Sequence, residues 1–116
     1  MSSMEKRNLY GYLCPASVQK KYSPLDRRIR YVGNTIGDTK LPCYLAPIIE
    51  GCHWSLCVSC PIDNVIYWFD PLGRRPSSEM RGIFNTALKT YYITGGKRSS
   101  KNGSTTWVYP SVSTLN

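Results

Sequence analysis

The chain has 116 residues and a mass of 13.2 kDa, with 41% hydrophobic and 19% charged residues. This length allows one small domain, or part of a larger one, and excludes two independent domains. Three Trp, nine Tyr and two Phe exclude a wholly disordered chain. The formal net charge of +8 would suit an acidic partner such as nucleic acid, but the Lys and Arg residues lie in short scattered clusters. We therefore expect most of them at a solvated surface.

The cysteines and the N-terminal sequence bear on the cellular compartment. The five cysteines are odd in number and irregularly spaced, and the start of the chain, MSSMEKRN, is polar. Neither a disulfide scaffold nor a signal peptide is therefore predicted. The apolar stretches are far shorter than the ~20 residues that cross a bilayer. We expect an intracellular protein of the nucleus or cytoplasm, with no membrane partner.

Residues 1–40 form a poorly defined N-terminal segment. Pro and Gly residues interrupt every run before a helical or strand period is established. Only the stretch from Leu25 to Val32 suggests a short helix or strand.

Three strands are predicted from Leu41 onwards. They correspond to the apolar and β-branched runs LPCYLAPII, HWSLCVSC and VIYWFD, which Glu50-Gly51 and the stretch 61–64 separate. In the second run, the side that carries Trp54 is apolar and the side that carries His53 is polar, so we expect the Trp54 side to be the drier face of the sheet. The third run is apolar on both sides, which predicts a central strand covered by helices above and below.

One amphipathic helix is predicted after Pro76. Its apolar positions have i, i+3, i+4, i+7 spacing, which predicts a helix from about Ser78 to Ile93, with Ser77 or Ser78 as N-cap; they are Met80, Ile83, Phe84, Ala87, Leu88 and Tyr91. Gly95 and Gly96 should end it. A polar loop follows, then a short strand at WVY, and residues 110–116 resemble a truncated tail.

His53 is the single histidine of the chain, and Asp70 closes an apolar run. A lone histidine is more often structural than catalytic, but a carboxylate in such a place needs a partner or lies at the rim of a site. If residues 61–64 form the loop of a hairpin, Asp70 lies opposite Ser55 and His53 is its diagonal neighbour on the same face. A loop one residue longer or shorter would place the two side chains on opposite faces. A carboxylate that holds an imidazole is the orienting half of a nucleophilic triad.

The runs LAPIIEGCHWSLCVSC and IYWFDPLGRRP resemble the catalytic domain of the ubiquitin-like-protein-specific (SUMO) protease family, particularly its plant and transposon-associated members. The matching features are a strand with a His-Trp pair, a next strand that ends in Asp-Pro-Leu, and an amphipathic helix after it. The resemblance covers roughly residues 41–95, and the partial catalytic domain that it implies would span residues 41–109. It implies an α+β, papain-like cysteine peptidase fold, present here in part as a mixed sheet with a covering helix.

The resemblance also implies roles for three residues. His53 would be the general base, Asp70 its orienter, and Trp54 would line a narrow tunnel for the diglycine tail of the modifier. For Trp54, a core aromatic is an equally open alternative, because strand alternation places it opposite His53. The implied partners are a SUMO-like or other ubiquitin-like modifier and its conjugates.

The family pattern is incomplete in this sequence. The family has an oxyanion-hole Gln and a Cys-Gly nucleophile after the segment matched here, whereas no Cys follows Cys60 and the single Gln is Gln19. We therefore expect a truncated peptidase that is inactive as it stands. Cys52 should point away from the His53 ring, and Cys57 should lie too far along the strand to replace the nucleophile.

No cofactor or metal is expected either. The sequence CVSC at 57–60 has no second CxxC, and its two cysteines should face opposite sides of a strand. Two other functions stay open: a non-catalytic remnant that binds a modifier or another protein, and a basic nucleic-acid-binding protein, which the net charge alone supports.

Overall fold

The computed structural model describes residues 9–19, 23–50, 52–95 and 104–111. Within these residues, five strands and three helices follow one another in the order β1 (Tyr10–Tyr12), α1 (Pro15–Val18), α2 (Leu25–Thr39), β2 (Cys43–Glu50), β3 (His53–Cys60), β4 (Val65–Phe69), α3 (Ser78–Ile93) and β5 (Thr106–Val108). The strands form one mixed sheet in the order β1-β2-β3-β4-β5. The α+β class with a mixed sheet is therefore confirmed, while its papain-like character stays a prediction.

Strands β2, β3 and β4 form an antiparallel meander, and β1 and β5 pair in parallel with its two edges. The three predicted strands and the short strand at the end of the chain are all present. The β3–β4 turn ends at Asn64, whose φ of 57° is the left-handed conformation that Asn tolerates better than most residues. In the resulting register Leu56 pairs with Phe69, as the predicted loop requires.

Helix α3 has the bounds that the apolar spacing predicts. Ser77 is the N-cap, and its Oγ accepts a hydrogen bond from the backbone N–H of Met80 at 3.1 Å, an arrangement that typically contributes about 1 kcal/mol. Of the six apolar positions predicted for this helix, five are buried and Tyr91 is partly buried; the five are Met80, Ile83, Phe84, Ala87 and Leu88. Gly95, with a φ of 109°, lies just after the end of the helix.

Helix α2 is longer than the sequence predicts, since it continues through Gly33 and Gly37 to Thr39. Packing explains the difference: Val32 and Ile36 are fully buried in the core, and this burial outweighs the low helix propensity of glycine. An ion pair of 2.7 Å between Arg28 Nη2 and Glu79 Oε2 joins α2 to α3. In the described residues, no helix combines the length and apolar character that crossing a bilayer requires.

The two faces of the sheet have different environments. Buried residues of all three helices join one core with the inner face, which carries Tyr44, Ala46, Ile48, Cys57, Ile66 and Trp68. The outer face is also apolar, yet Trp54 is 58% and Tyr67 36% exposed. We call nine of the outer-face side chains of β2, β3 and β4 the outer patch; they are Leu45, Pro47, Ile49, Trp54, Leu56, Val58, Val65, Tyr67 and Phe69.

Two predictions about these faces were wrong. The drier side of β3 is the side of Ser55, Cys57 and Ser59, whose small side chains fit beneath the helices. Strand β4 is covered on its inner side, but within the described residues no helix contributes to a core on its outer side. The alternation of apolar and polar residues along a strand predicts which side chains share a face, but it does not predict which face the helices cover.

Candidate active site

His53 and Asp70 meet at one end of the antiparallel pair β3–β4. His53 is the first residue of β3, and Asp70 directly follows the last residue of β4. The distance between His53 Nε2 and Asp70 Oδ2 is 2.6 Å, which is a hydrogen bond. The side chains are only 16% and 3% exposed. The predicted juxtaposition of these two side chains is therefore confirmed, whereas their catalytic roles stay predictions.

Ser55 and the backbone of Leu72 also hold the Asp70 carboxylate. Ser55 Oγ donates to Oδ2 at 2.8 Å, and the backbone N–H of Leu72 donates to Oδ1 at 2.8 Å. The backbone of Gly73, in the left-handed conformation with a φ of 74°, closes the turn by donating to the Asp70 carbonyl at 2.9 Å. The carboxylate is thus oriented before anything binds. Ser55 was not predicted as a site residue, although the predicted register already placed it opposite Asp70.

These hydrogen bonds determine the charge of Asp70. Burial raises the pKa of Asp70, but hydrogen bonds from His53, Ser55 and the backbone N–H groups of Leu72 and Arg74 outweigh burial and lower that pKa from 3.8 to about 2. At neutral pH the group is therefore a carboxylate. Its hydrogen bond with the imidazole is charge-assisted, and such bonds are stronger than those between neutral groups.

The contact also selects one tautomer of His53. Because a carboxylate only accepts hydrogen bonds, the proton of the neutral imidazole lies on Nε2 and the lone pair lies on Nδ1. No residue of the described ranges donates a hydrogen bond to Nδ1. Chemically, Nδ1 is thus the atom that can take a proton, and Asp70 stabilises the imidazolium that results.

We predict that NMR will detect this tautomer directly, because the chain has one histidine and hence one set of imidazole signals. The ¹⁵N shifts of neutral His53 should be those of the Nε2–H form, with a slowly exchanging Nε2 proton. Asp70→Asn should increase the exchange rate of that proton, whereas Asp63→Asn, at an exposed carboxylate of the β3–β4 turn, should leave it unchanged. A dominant Nδ1–H form would contradict the assigned geometry.

The described cysteines do not complete a triad. Cys57 lies in the core, where burial, and to a lesser extent the neighbouring Cys60, raises the pKa of its thiol well above the usual range. Such a thiol is a poor nucleophile. Cys43 and Cys60 contact each other, and Cys52 is exposed. Within the described residues, no cysteine sulfur makes a hydrogen bond with His53.

Gln19 has a structural position. Its side-chain Nε2 donates to the Ile49 carbonyl, and its Oε1 accepts from the Ile49 N–H at 2.9 Å, so both ends of the amide bind one backbone unit of β2. An oxyanion-hole donor needs an N–H that points at the reacting carbonyl. The side-chain amide of Gln19 is therefore already hydrogen-bonded to the backbone of β2.

Trp54 lies on the outer patch and is not a core residue, so the core alternative for this side chain was wrong. It lines a cavity of about 380 Å³ beside Asp70, together with Pro47, Ser55, Leu56, Phe69 and Pro71. Pro47 and Phe69 were not predicted as site residues. Both pair with Leu56, two positions after Trp54 on the same face, so the register could have identified them.

No arrangement for a metal is found in the described ranges, where no three His, Cys, Asp or Glu side chains lie close enough together to hold an ion. The two cysteines of the CVSC sequence are separated by the sheet: Cys57 belongs to the core, and Cys60 contacts Cys43.

No family model matches the chain, and no curated protein matches it. Among solved structures, two matches are SUMO protease Ulp1 with the catalytic cysteine oxidised to a sulfinic acid, and the same protease with that cysteine oxidised to a sulfonic acid. Each is 20% identical, with a TM-score of 0.46, and the match covers 74% of this chain and 41% of the other. The chain thus spans less than half of these structures. A structural similarity of this size does not by itself indicate a function.

Proposed function

We propose that this chain is part of a cysteine peptidase that removes a SUMO-like or other ubiquitin-like modifier from proteins, and that it is inactive as it stands. The observation that carries the proposal is the 2.6 Å hydrogen bond between His53 Nε2 and Asp70 Oδ2. Ser55 Oγ and the Leu72 N–H also donate hydrogen bonds to the Asp70 carboxylate. The family resemblance of the segments around these residues supplies the substrate class.

In the complete enzyme, His53 Nδ1 would take the proton of a cysteine thiol that lies outside the described residues. The thiolate would attack the carbonyl carbon of the last glycine of the modifier, the bond from that carbon to the lysine nitrogen would break, and the His53 imidazolium would protonate the departing lysine amine. Water, deprotonated by His53, would release the modifier from the thioester. In each step Asp70 keeps Nε2 protonated and stabilises the imidazolium.

Trp54 would bind the substrate tail. Its exposed ring lines an apolar cavity next to Asp70, and glycine residues, which have no side chain, can pass close to such a ring. We place this activity in the nucleus or cytoplasm, where thiols stay reduced.

The test of this proposal is covalent capture by a modifier that carries a thiol-reactive group at its C-terminus. The purified 116-residue chain should show no His53-dependent labelling, because within the described residues no cysteine sulfur is hydrogen-bonded to the His53 imidazole that would activate it. A chain extended through a Gln and a Cys-Gly should become labelled. Labelling of the 116-residue chain that depends on His53 would contradict the proposal, and absence of labelling in both chains would favour the second candidate.

The second candidate is a non-catalytic remnant that binds a modifier or another protein. The observation that favours it is the outer patch, which is apolar and partly exposed, as interaction surfaces often are. Binding of the unmodified 116-residue chain to a SUMO-like modifier, lost on Tyr67→Lys at an exposed β4 position of the patch, would support this candidate.

A further inference from the structure

Two cysteines face each other across neighbouring strands of the sheet. Cys43 begins β2 and Cys60 ends β3, and the register that pairs Tyr44 with Ser59 places them directly opposite one another. Their sulfur atoms are 2.9 Å apart. Both belong to the outer side of the sheet, at the end of β3 that lies farthest from His53.

We propose that Cys43 and Cys60 form a modification site, which peroxide oxidises to a reversible disulfide across β2 and β3. The backbone already suits the bond: opposite residues of antiparallel strands have Cα atoms about 4.5–5.5 Å apart, and disulfides span about 4.4–6.8 Å. Since the S–S bond is about 2.05 Å long, the two sulfurs need to approach by less than about 1 Å, which side-chain rotation can provide.

The two thiols differ in ways that assign their roles. Cys43 is partly exposed, whereas Cys60 is buried. Burial, and then the hydrogen bond with Cys43, raises the pKa of Cys60 to about 12. A buried thiol that stays protonated reacts slowly with peroxide, so Cys43 is the sulfur that the oxidant reaches first and Cys60 is the resolving partner.

The chemistry is balanced with hydrogen peroxide as the oxidant. The Cys43 thiolate attacks one peroxide oxygen, the O–O bond breaks, and the second oxygen leaves as water with the proton of the thiol, so that Cys43 becomes a sulfenic acid. Cys60 Sγ then attacks Cys43 Sγ, the S–O bond breaks, and water leaves with the Cys60 proton. The two sulfurs together lose two electrons and peroxide gains them.

The disulfide would close the chain segment from Cys43 to Cys60, which contains His53 and Trp54. Closing a loop of this length restricts the unfolded chain, so oxidation should raise the melting temperature by on the order of 10 °C. Thiol reductants such as glutathione should reverse the effect, which makes the site compatible with a reducing compartment.

Peptide mapping tests the pairing in the full chain. After oxidation with hydrogen peroxide and blocking of free thiols in denaturant, trypsin with a Glu-specific protease separates residues 41–50 from residues 51–74, because Glu50 offers the one cleavage site between Cys43 and the other three cysteines of that stretch. We expect these two peptides to be linked without reductant, and fragmentation between Cys57 and Cys60 to place the link at Cys60.

Two variants control for the other thiols. Cys52→Ser, at an exposed position, should keep both the link and the rise in melting temperature, and Cys60→Ser should lose both. A link from Cys43 to Cys52 or Cys57, or conversion of Cys43 to the sulfinic acid with no link, would overturn the proposal. Because the mapping of the unsubstituted chain decides the pairing, the test stands even if Cys60→Ser does not fold.

Discussion

Replacing His53 with Ala in a chain extended through the expected Gln and Cys-Gly should lower the rate of covalent capture by about 10²–10⁴-fold, the usual contribution of a general base. The reason is that His53 Nδ1, with Nε2 held by Asp70, would be the group that takes the proton of the thiol. The measurement is the rate of labelling by a modifier with a C-terminal thiol-reactive group. The difference in labelling rate between the variant and the unsubstituted chain should decrease at alkaline pH, where the thiol ionises without a general base.

The matched control for this experiment is Thr86→Ala, at an exposed position of α3. It should leave the labelling rate within a factor of two, and the circular dichroism spectra of both variants should match that of the unsubstituted chain. A His53→Ala variant that keeps more than half of the labelling rate at neutral pH would show that the imidazole is not the base.

Much of this fold could be predicted because its determinants are local. The β3–β4 register follows from the turn at residues 61–64, and it brings Asp70 opposite Ser55 and within reach of His53. Helix α3 follows from its apolar spacing and the Ser77 cap. In both cases, residues close in the sequence decide the structure, so no knowledge of distant packing is needed.

The errors arose where distant packing decides. The side of β3 that carries Ser55 and Cys57 has the more polar residues in the sequence. It is nevertheless the buried side, because the helices pack on it. Helix α2 likewise continues through two glycines because burial of Val32 and Ile36 outweighs local propensity. A nucleophile could not be predicted at all, because no cysteine follows Cys60.

Asp70→Asn should lower the free energy of unfolding at neutral pH by about 1–3 kcal/mol, the usual cost of leaving buried hydrogen-bonding groups without partners. The carboxylate accepts from His53, Ser55 and the Leu72 N–H, and an amide, which has one accepting oxygen, cannot accept all three hydrogen bonds in the same geometry. Asp63→Asn, at an exposed carboxylate, should change the free energy of unfolding by no more than about 0.5 kcal/mol.

The pH dependence of this loss in free energy of unfolding distinguishes the contribution of the Asp70 charge from that of side-chain packing. Because the hydrogen bonds lower the pKa of folded Asp70 to about 2, below its ordinary value of 3.8, the charged group stabilises the fold fully above pH 3.8 and progressively less as the pH falls towards 2. The asparagine variant has no such titration, so the difference in free energy of unfolding between the two proteins should shrink as the pH falls from 4 to 2. Urea unfolding monitored by tryptophan fluorescence, to which the buried Trp68 contributes, would measure the free energy of unfolding of each protein. A difference that stays constant down to pH 2 would mean that asparagine acts through packing alone, and that the charge of the Asp70 carboxylate does not stabilise the His53 site.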